Sequence, residues 1–158
     1  MTTLRRIALA LSLAALAACG GGPQTAPTAI PGRGALAVSV VPNPIRATLV
    51  SGTTYDFAFE VIVRETGGRP VNVTDVTATV QLPGGFTVAR ESYDAGRIQA
   101  LGYATTIPAN GERRYRFAPR KEVPDERLFG GVSARLTVEG SDDMSAPVTA
   151  STTVTVER

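Results

Sequence analysis

The chain of 158 residues has no histidine, no tryptophan and a single cysteine, Cys19. One cysteine forbids an intrachain disulfide, even in an oxidising compartment. Without histidine, and with no thiol beyond Cys19, most transition-metal sites and nucleophile–base pairs are excluded. Carboxylate pairs stay open in principle, but none stands out, so the chain reads as non-enzymatic, with no cofactor and no metal. The missing tryptophan argues against a sugar-stacking platform. An excess of one charge is also lacking. The pI near 9.0 owes much to Arg5 and Arg6; without them 14 basic side chains face 14 acidic ones. A balanced chain offers no clustered basic face for nucleic acid. Long apolar runs are absent too. The run from Ile7 to Ala18 has about 12 residues, short of the roughly 20 that span a bilayer.

What the start does contain is a positively charged pair, a short apolar core and a small-residue exit, the layout of a secretory signal. The exit reads Leu16-Ala17-Ala18-Cys19 and resembles the lipobox of bacterial lipoproteins. That resemblance implies cleavage before Cys19, a diacylglycerol thioether on its sulfur and an acylated amino group, making the membrane a partner through Cys19. Two or more acyl chains anchor stably, at roughly 0.8 kcal/mol per buried methylene. The next residue is Gly20 rather than Asp, which in lipoproteins of diderm bacteria implies the outer membrane. An ordinary secretory leader with a chance cysteine is the competing reading. Twin-arginine export is a poor match at Ile7-Ala8-Leu9.

Three segments follow: a signal peptide over 1–18, the lipidated Cys19 with a Gly/Pro-rich linker over 19–34, and a folded domain over 35–158. The linker, GGGPQTAPTAIPGRG from Gly20 to Gly34, has no recurring apolar position and so no core to fold. Its 15 residues span roughly 20 Å by flexible-chain scaling.

From Ala35 on the apolar period is two. Leu36, Val38 and Val40 predict a first strand, broken by Pro42-Asn43-Pro44, with a second piece from Ile45 to Val50 rejoining on another sheet. Tyr55, Phe57, Phe59, Val61 and Val63 predict one long, half-buried strand. Val71 and Val73, then Val76, Ala78, Val80 and Leu82, change parity at Thr74-Asp75, which demands a bulge or break there. Phe86 to Val88 predicts a short strand, and residues 91–109 the least regular part of the domain. Asn110-Gly111 is the strongest hairpin signal. Tyr115 and Phe117 point inward on the next strand. Val132 to Val138 and Val148 to Val156 predict two further strands around an Asp142-Asp143 turn. No useful helix follows the leader.

The expected fold is all-β: a single antiparallel sandwich of about seven strands. Strand count and spacing over Ala35 to Arg158 resemble bacterial immunoglobulin-like or fibronectin-III-like domains, without the Cys–Trp–Cys core of antibody domains. The stretch YDFAFEVIVRETGGRPVNVTDVTATV resembles a strand–turn–strand of uncharacterised bacterial lipoproteins. Asp142-Asp143 reads as a solvated turn more than as a calcium site, which would need six or more oxygens. Arg114 and Arg116 are expected to pair with acids on neighbouring strands. Phe129 reads as a core plug more than as a partner anchor. Tyr93, Arg97 and Tyr103 form the candidate binding surface, because Tyr and Arg favour binding hot spots and loops carry recognition. The alternative is that the tyrosines cover one end of the sandwich. The functional expectation is a lipid-anchored, non-enzymatic immunoglobulin-like binding module of the outer membrane, monomeric, meeting an envelope protein or polysaccharide and no nucleic acid. A structural spacer or assembly subunit that uses sheet edges is the alternative.

Overall fold

Period-two patterning becomes β-structure through most of the chain. The computed structural model describes Ile30 and residues 32–158. The leader, Cys19 and most of the expected linker lie outside the described residues. Eleven strands run in chain order: β1 (Leu36–Val41), β2 (Ile45–Ser51), β3 (Thr54–Phe57), β4 (Phe59–Glu65), β5 (Val71–Gln81), β6 (Thr87–Asp94), β7 (Thr106–Ile107), β8 (Glu112–Phe117), β9 (Arg120–Glu122), β10 (Ser133–Asp142) and β11 (Pro147–Glu157). One short helix, α1 (Ala95–Ala100), follows β6, and a 3-10 turn spans Glu126–Phe129.

Two sheets result. The small one is ordered β1-β4-β8; the large one β6-β5-β10-β11-β2-β3-β9, with β7 added beside β5. All pairs are antiparallel except β11 with β2, joined in parallel at Val156↔Ile45 and Glu157↔Arg46. Inward side chains of both sheets share one core, including Leu36, Val61 and Tyr115 from the small sheet and Val73, Leu136 and Val154 from the large one. The large sheet curls so far that its outermost strands, β6 and β9, come within side-chain reach: Lys121 Nζ donates to Glu91 Oε2 at 2.7 Å. The fold is therefore all-β, a curled half-barrel closed by a small second sheet rather than a plain sandwich of seven strands.

The sheets meet where one strand was expected and two are found. Ala58 separates β3 from β4; β3 belongs to the large sheet and β4 to the small one. Tyr55, Phe59, Val61 and Val63 are nonetheless buried, since a strand can change sheets at a corner while keeping one face inward. Pro42-Asn43-Pro44 does the same between β1 and β2. The parity change at Thr74 is a bulge: Glu139 faces Asp75 but Gly140 faces Val73, leaving Thr74 unpaired. Gly140 suits that place because a Cβ there would strike the Asn72 carbonyl oxygen.

Glu65 holds the end of the small sheet. It is 1% exposed, and its carboxylate accepts backbone N–H groups from Ala35 (3.2 Å), Gly67 (2.6 Å), Gly68 (2.9 Å) and Asn110 (2.8 Å). Burial pushes its pKa up, but the four N–H donors outweigh that and hold it below the usual carboxylate range. They come from the segments entering β1, leaving β4 and entering β8. The turn at Asn110-Gly111 departs from the hairpin expected there. Asn110 does take a positive φ of 55°, but β7 pairs with β5, not with β8, and the turn itself is docked on Glu65.

Asp142 is likewise buried, not a solvated turn tip. Its carboxylate accepts from Gly34 N, Met144 N and Ala146 N, and these bonds, with Arg69 nearby, hold its pKa low. Asp143 pairs with Arg69 at 2.6 Å. Both Asp142 carboxylate oxygens, and Oδ1 of Asp143, are engaged by N–H donors.

Candidate functional site

The curl of the large sheet leaves a cleft of about 380 Å³ between its two outer strands. The volume lies within the usual range of small-molecule sites, about 300–1,000 Å³. Its floor is core: Ile45, Phe59, Val132 and Val156 are all buried. Ala78, Val80 and Leu82 form one wall, and Phe57 and Phe129 the other. Along β5 the inward side chains pass from fully buried at Val71, Val73 and Val76 to half-buried at Ala78 and Val80. The alternation continues to the end of the strand, but facing side chains run out, and the space they would fill is the cleft.

The 3-10 turn forms one lip. Asp125 caps it by accepting from Arg127 N at 2.9 Å. Phe129 leans inward, its ring edge-on to Tyr55 with centroids 5.2 Å apart, while Leu128 stays 38% exposed. Phe129 is thus partly packed on the core, and it also faces the opening. Tyr55 below donates its hydroxyl to Glu126 Oε1 at 2.9 Å, and Glu126 also pairs with Arg158.

The mouth is charged. Arg90 and Glu91 come from β6, Lys121 and Glu122 from β9. Glu91 is shared between Lys121 (2.7 Å) and Arg97 (3.0 Å). The Lys121 bond, with help from Arg97, holds the Glu91 carboxyl below its ordinary range despite partial burial. Arg90 makes no ion pair among the described residues. Exposed Val88, on β6, adds an apolar rim.

The three residues expected to form a binding surface are not gathered into one. Tyr93 is 7% exposed and stacks on Phe117 with centroids 4.2 Å apart; burial, then the Glu91 charge, raises its pKa. Its ring is core, which removes it from any surface. Arg97 lies over that ring at 4.3 Å, donates to Ser92 O (2.6 Å) and Glu91 Oε1 (3.0 Å), and so clamps α1 to β6. Tyr103 is half-buried, edge-on to Tyr115 at 5.8 Å, and its hydroxyl accepts from Arg116 N at 3.3 Å. The segment expected to be irregular is ordered as β6, α1 and β7, with Asp94 capping α1 through a 2.7 Å bond from Arg97 N. Cys19, the expected lipid attachment site, lies outside the described residues. Arg114 and Arg116 do pair across strands, both with Glu60.

Sequence reasoning missed the cleft. Its one trace in the sequence is the apolar stripe of β5, which continues through Ala78, Val80 and Leu82; that Val88 and Leu128 stand exposed at the rim shows only in the fold.

No family model matches the chain, and no curated protein does. Solved structures do resemble it in fold. The structural-genomics target SoR45 aligns with a TM-score of 0.50 at 11% identity, over 81% of this chain and 90% of that one. A Bordetella pertussis protein assigned as ApaA aligns with a TM-score of 0.51 at 16% identity, over 83% of this chain and 99% of that one. Both are small domains that the chain spans almost fully, and at such identities the likeness speaks for the fold alone.

Proposed function

We propose that the protein is a lipid-anchored, non-enzymatic binding module of the bacterial envelope, an immunoglobulin-like domain carried on an acylated Cys19 at the outer membrane. The lipobox supports the anchor. The observation that supports binding is the cleft between β6 and β9: concave, lined with carbon and rimmed by charge, the usual make-up of a ligand site. Binding is assigned to this cleft rather than to Tyr93, Arg97 and Tyr103, which are occupied in packing and clamping. The reading as a spacer that assembles through sheet edges has less support. Of the two strands flanking the cleft, β9 is three residues long and lies between Pro119 and Pro124, and β6 carries Arg90 and Glu91; short edges, prolines and charges are how proteins discourage edge pairing.

Two experiments test this. Labelled palmitate is expected to mark the wild-type chain in cells and to be lost in Cys19→Ala; unlabelled wild type contradicts the anchor. The neutral fluorescent probe N-phenyl-1-naphthylamine is expected to brighten saturably with the full chain. Val88→Glu and Leu128→Glu, both at exposed rim positions, should weaken it. A signal unaltered by both substitutions contradicts the cleft as the site.

A further inference from the structure

The lining of the cleft restricts what it can hold. Its interior surface comes from Phe57, Phe59, Leu82, Phe129, Val132 and Val156, none of which carries a side-chain polar atom. Every buried side-chain nitrogen or oxygen among the described residues already has a hydrogen-bond partner. A sugar, nucleotide or peptide entering would leave its own polar groups without partners, a cost that apolar contact does not recover. A peptide could instead pair with a strand edge, but β9 is only three residues long and lies between Pro119 and Pro124, and short edges flanked by proline discourage such pairing.

We propose that the cleft holds a single acyl chain whose anionic head is met at the mouth by Arg90, an inference that rests on the cleft being the binding site. At about 30 Å³ per group, the volume of a water, the cavity has room for on the order of a dozen methylenes. That suits one chain of medium length and is too little for the two chains of a phospholipid. The mouth selects the head. Glu91 is already paired with both Lys121 and Arg97. Of the four charged groups that line the mouth, Glu91 and Lys121 are paired, and Arg90 is the cation without an ion pair among the described residues. Arg90 stands across from Thr79 on the outer face of β6, and its long stem can turn over this free edge beside Val88 and keep its guanidinium in water, at the level of a carboxylate. Entry is inexpensive: the Lys121–Glu91 pair that ties β6 to β9 is partly exposed, at 50% and 22%, and exposed pairs hold weakly.

The test uses the full chain in phosphatidylcholine nanodiscs, with a photoactivatable 12-carbon fatty acid and the alcohol of the same chain as probes, and adducts mapped by mass spectrometry. The acid is expected to label Phe57, Leu82, Phe129 or Val132, and unlabelled laurate to displace it. Arg90→Glu, at an exposed position on a polar strand, should cut capture of the acid at least fivefold, leave capture of the alcohol within twofold, and leave the melting temperature unchanged. Equal capture of acid and alcohol, with no effect of Arg90→Glu, overturns the head-group assignment and leaves the cleft as an apolar site. Displacement by added phosphatidylglycerol but not by laurate overturns the single-chain assignment. If neither probe labels the cleft, both this inference and the reading beneath it fail.

Discussion

Replacing Glu65 by glutamine changes one atom and should cost much of what the residue contributes. The carboxylate oxygens each accept two backbone N–H groups, Oε1 from Ala35 and Gly67, Oε2 from Gly68 and Asn110. Glutamine can keep one pair. Its NH2 then faces the other two donors, which are left without an acceptor, and the remaining bonds lose their charge assistance. A buried donor without a partner costs about 1–3 kcal/mol. Gly68 and Asn110 are exposed enough for water to help, so the lower half of that range applies, about 2–4 kcal/mol for the pair of losses. The total stability of such a domain is about 5–15 kcal/mol. Urea unfolding of Glu65→Gln against wild type at pH 7 reads the difference directly. The pH dependence gives a second check. The folded state lowers the pKa of Glu65, so the unfolded chain binds its proton more readily. Its contribution is complete well above the unfolded glutamate value of about 4.3 and fades as the pH falls through the lower folded-state value. Asp56, Glu60, Glu112 and Asp142 are lowered too, so both proteins weaken in acid, but the gap between them should narrow toward pH 3. A loss under about 1 kcal/mol at pH 7, or a gap that widens in acid, refutes the account of Glu65.

Phe59→Ala should cost about 3–5 kcal/mol, the range for emptying an aromatic core site, because its ring is 8% exposed and packs on Phe117 with centroids 5.7 Å apart; Glu60→Ala, on the outer face, should cost far less, and equal losses by urea unfolding would reverse the face assignment. Arg97→Ala should speed amide exchange across Ala95–Ala100 and leave probe binding in the cleft unchanged; loss of binding with unchanged exchange would return Arg97 to a recognition role.

Local pattern was enough wherever one side chain faces the core and the next faces water. The bulge at Thr74 followed from valine parity alone, because a residue out of step must be looped out if both halves of β5 are to face inward. The break between β1 and β2 followed from prolines that cannot join a ladder. The corner at Ala58 left no such mark. The chain changes sheets there without changing its inward face, so alternation runs through it unbroken. Glu65 carries no mark of burial in the sequence, because a charged residue beside Gly67 and Gly68 looks solvated; its burial depends on Ala35 and Asn110, 30 and 45 residues away. β6 was underestimated because it pairs on one side only and shows most of its side chains to water, so it has no apolar period. Tyr93 and Tyr103 were legible as amphipathic groups but not as packed ones, since Phe117 and Tyr115, which hold them, come from β8. The cleft is a property of the curl, which appears only when the order of the strands is known.

The most direct measurement of the central claim is methyl NMR of the full chain titrated with laurate. Saturable shifts are expected at Val80, Leu82, Leu128 and Val132, which line the cleft, and none at Leu101 or Val148, which do not. Shifts confined to Leu101 and its neighbours, or no saturable shifts at all, would contradict the cleft as the place where this protein binds.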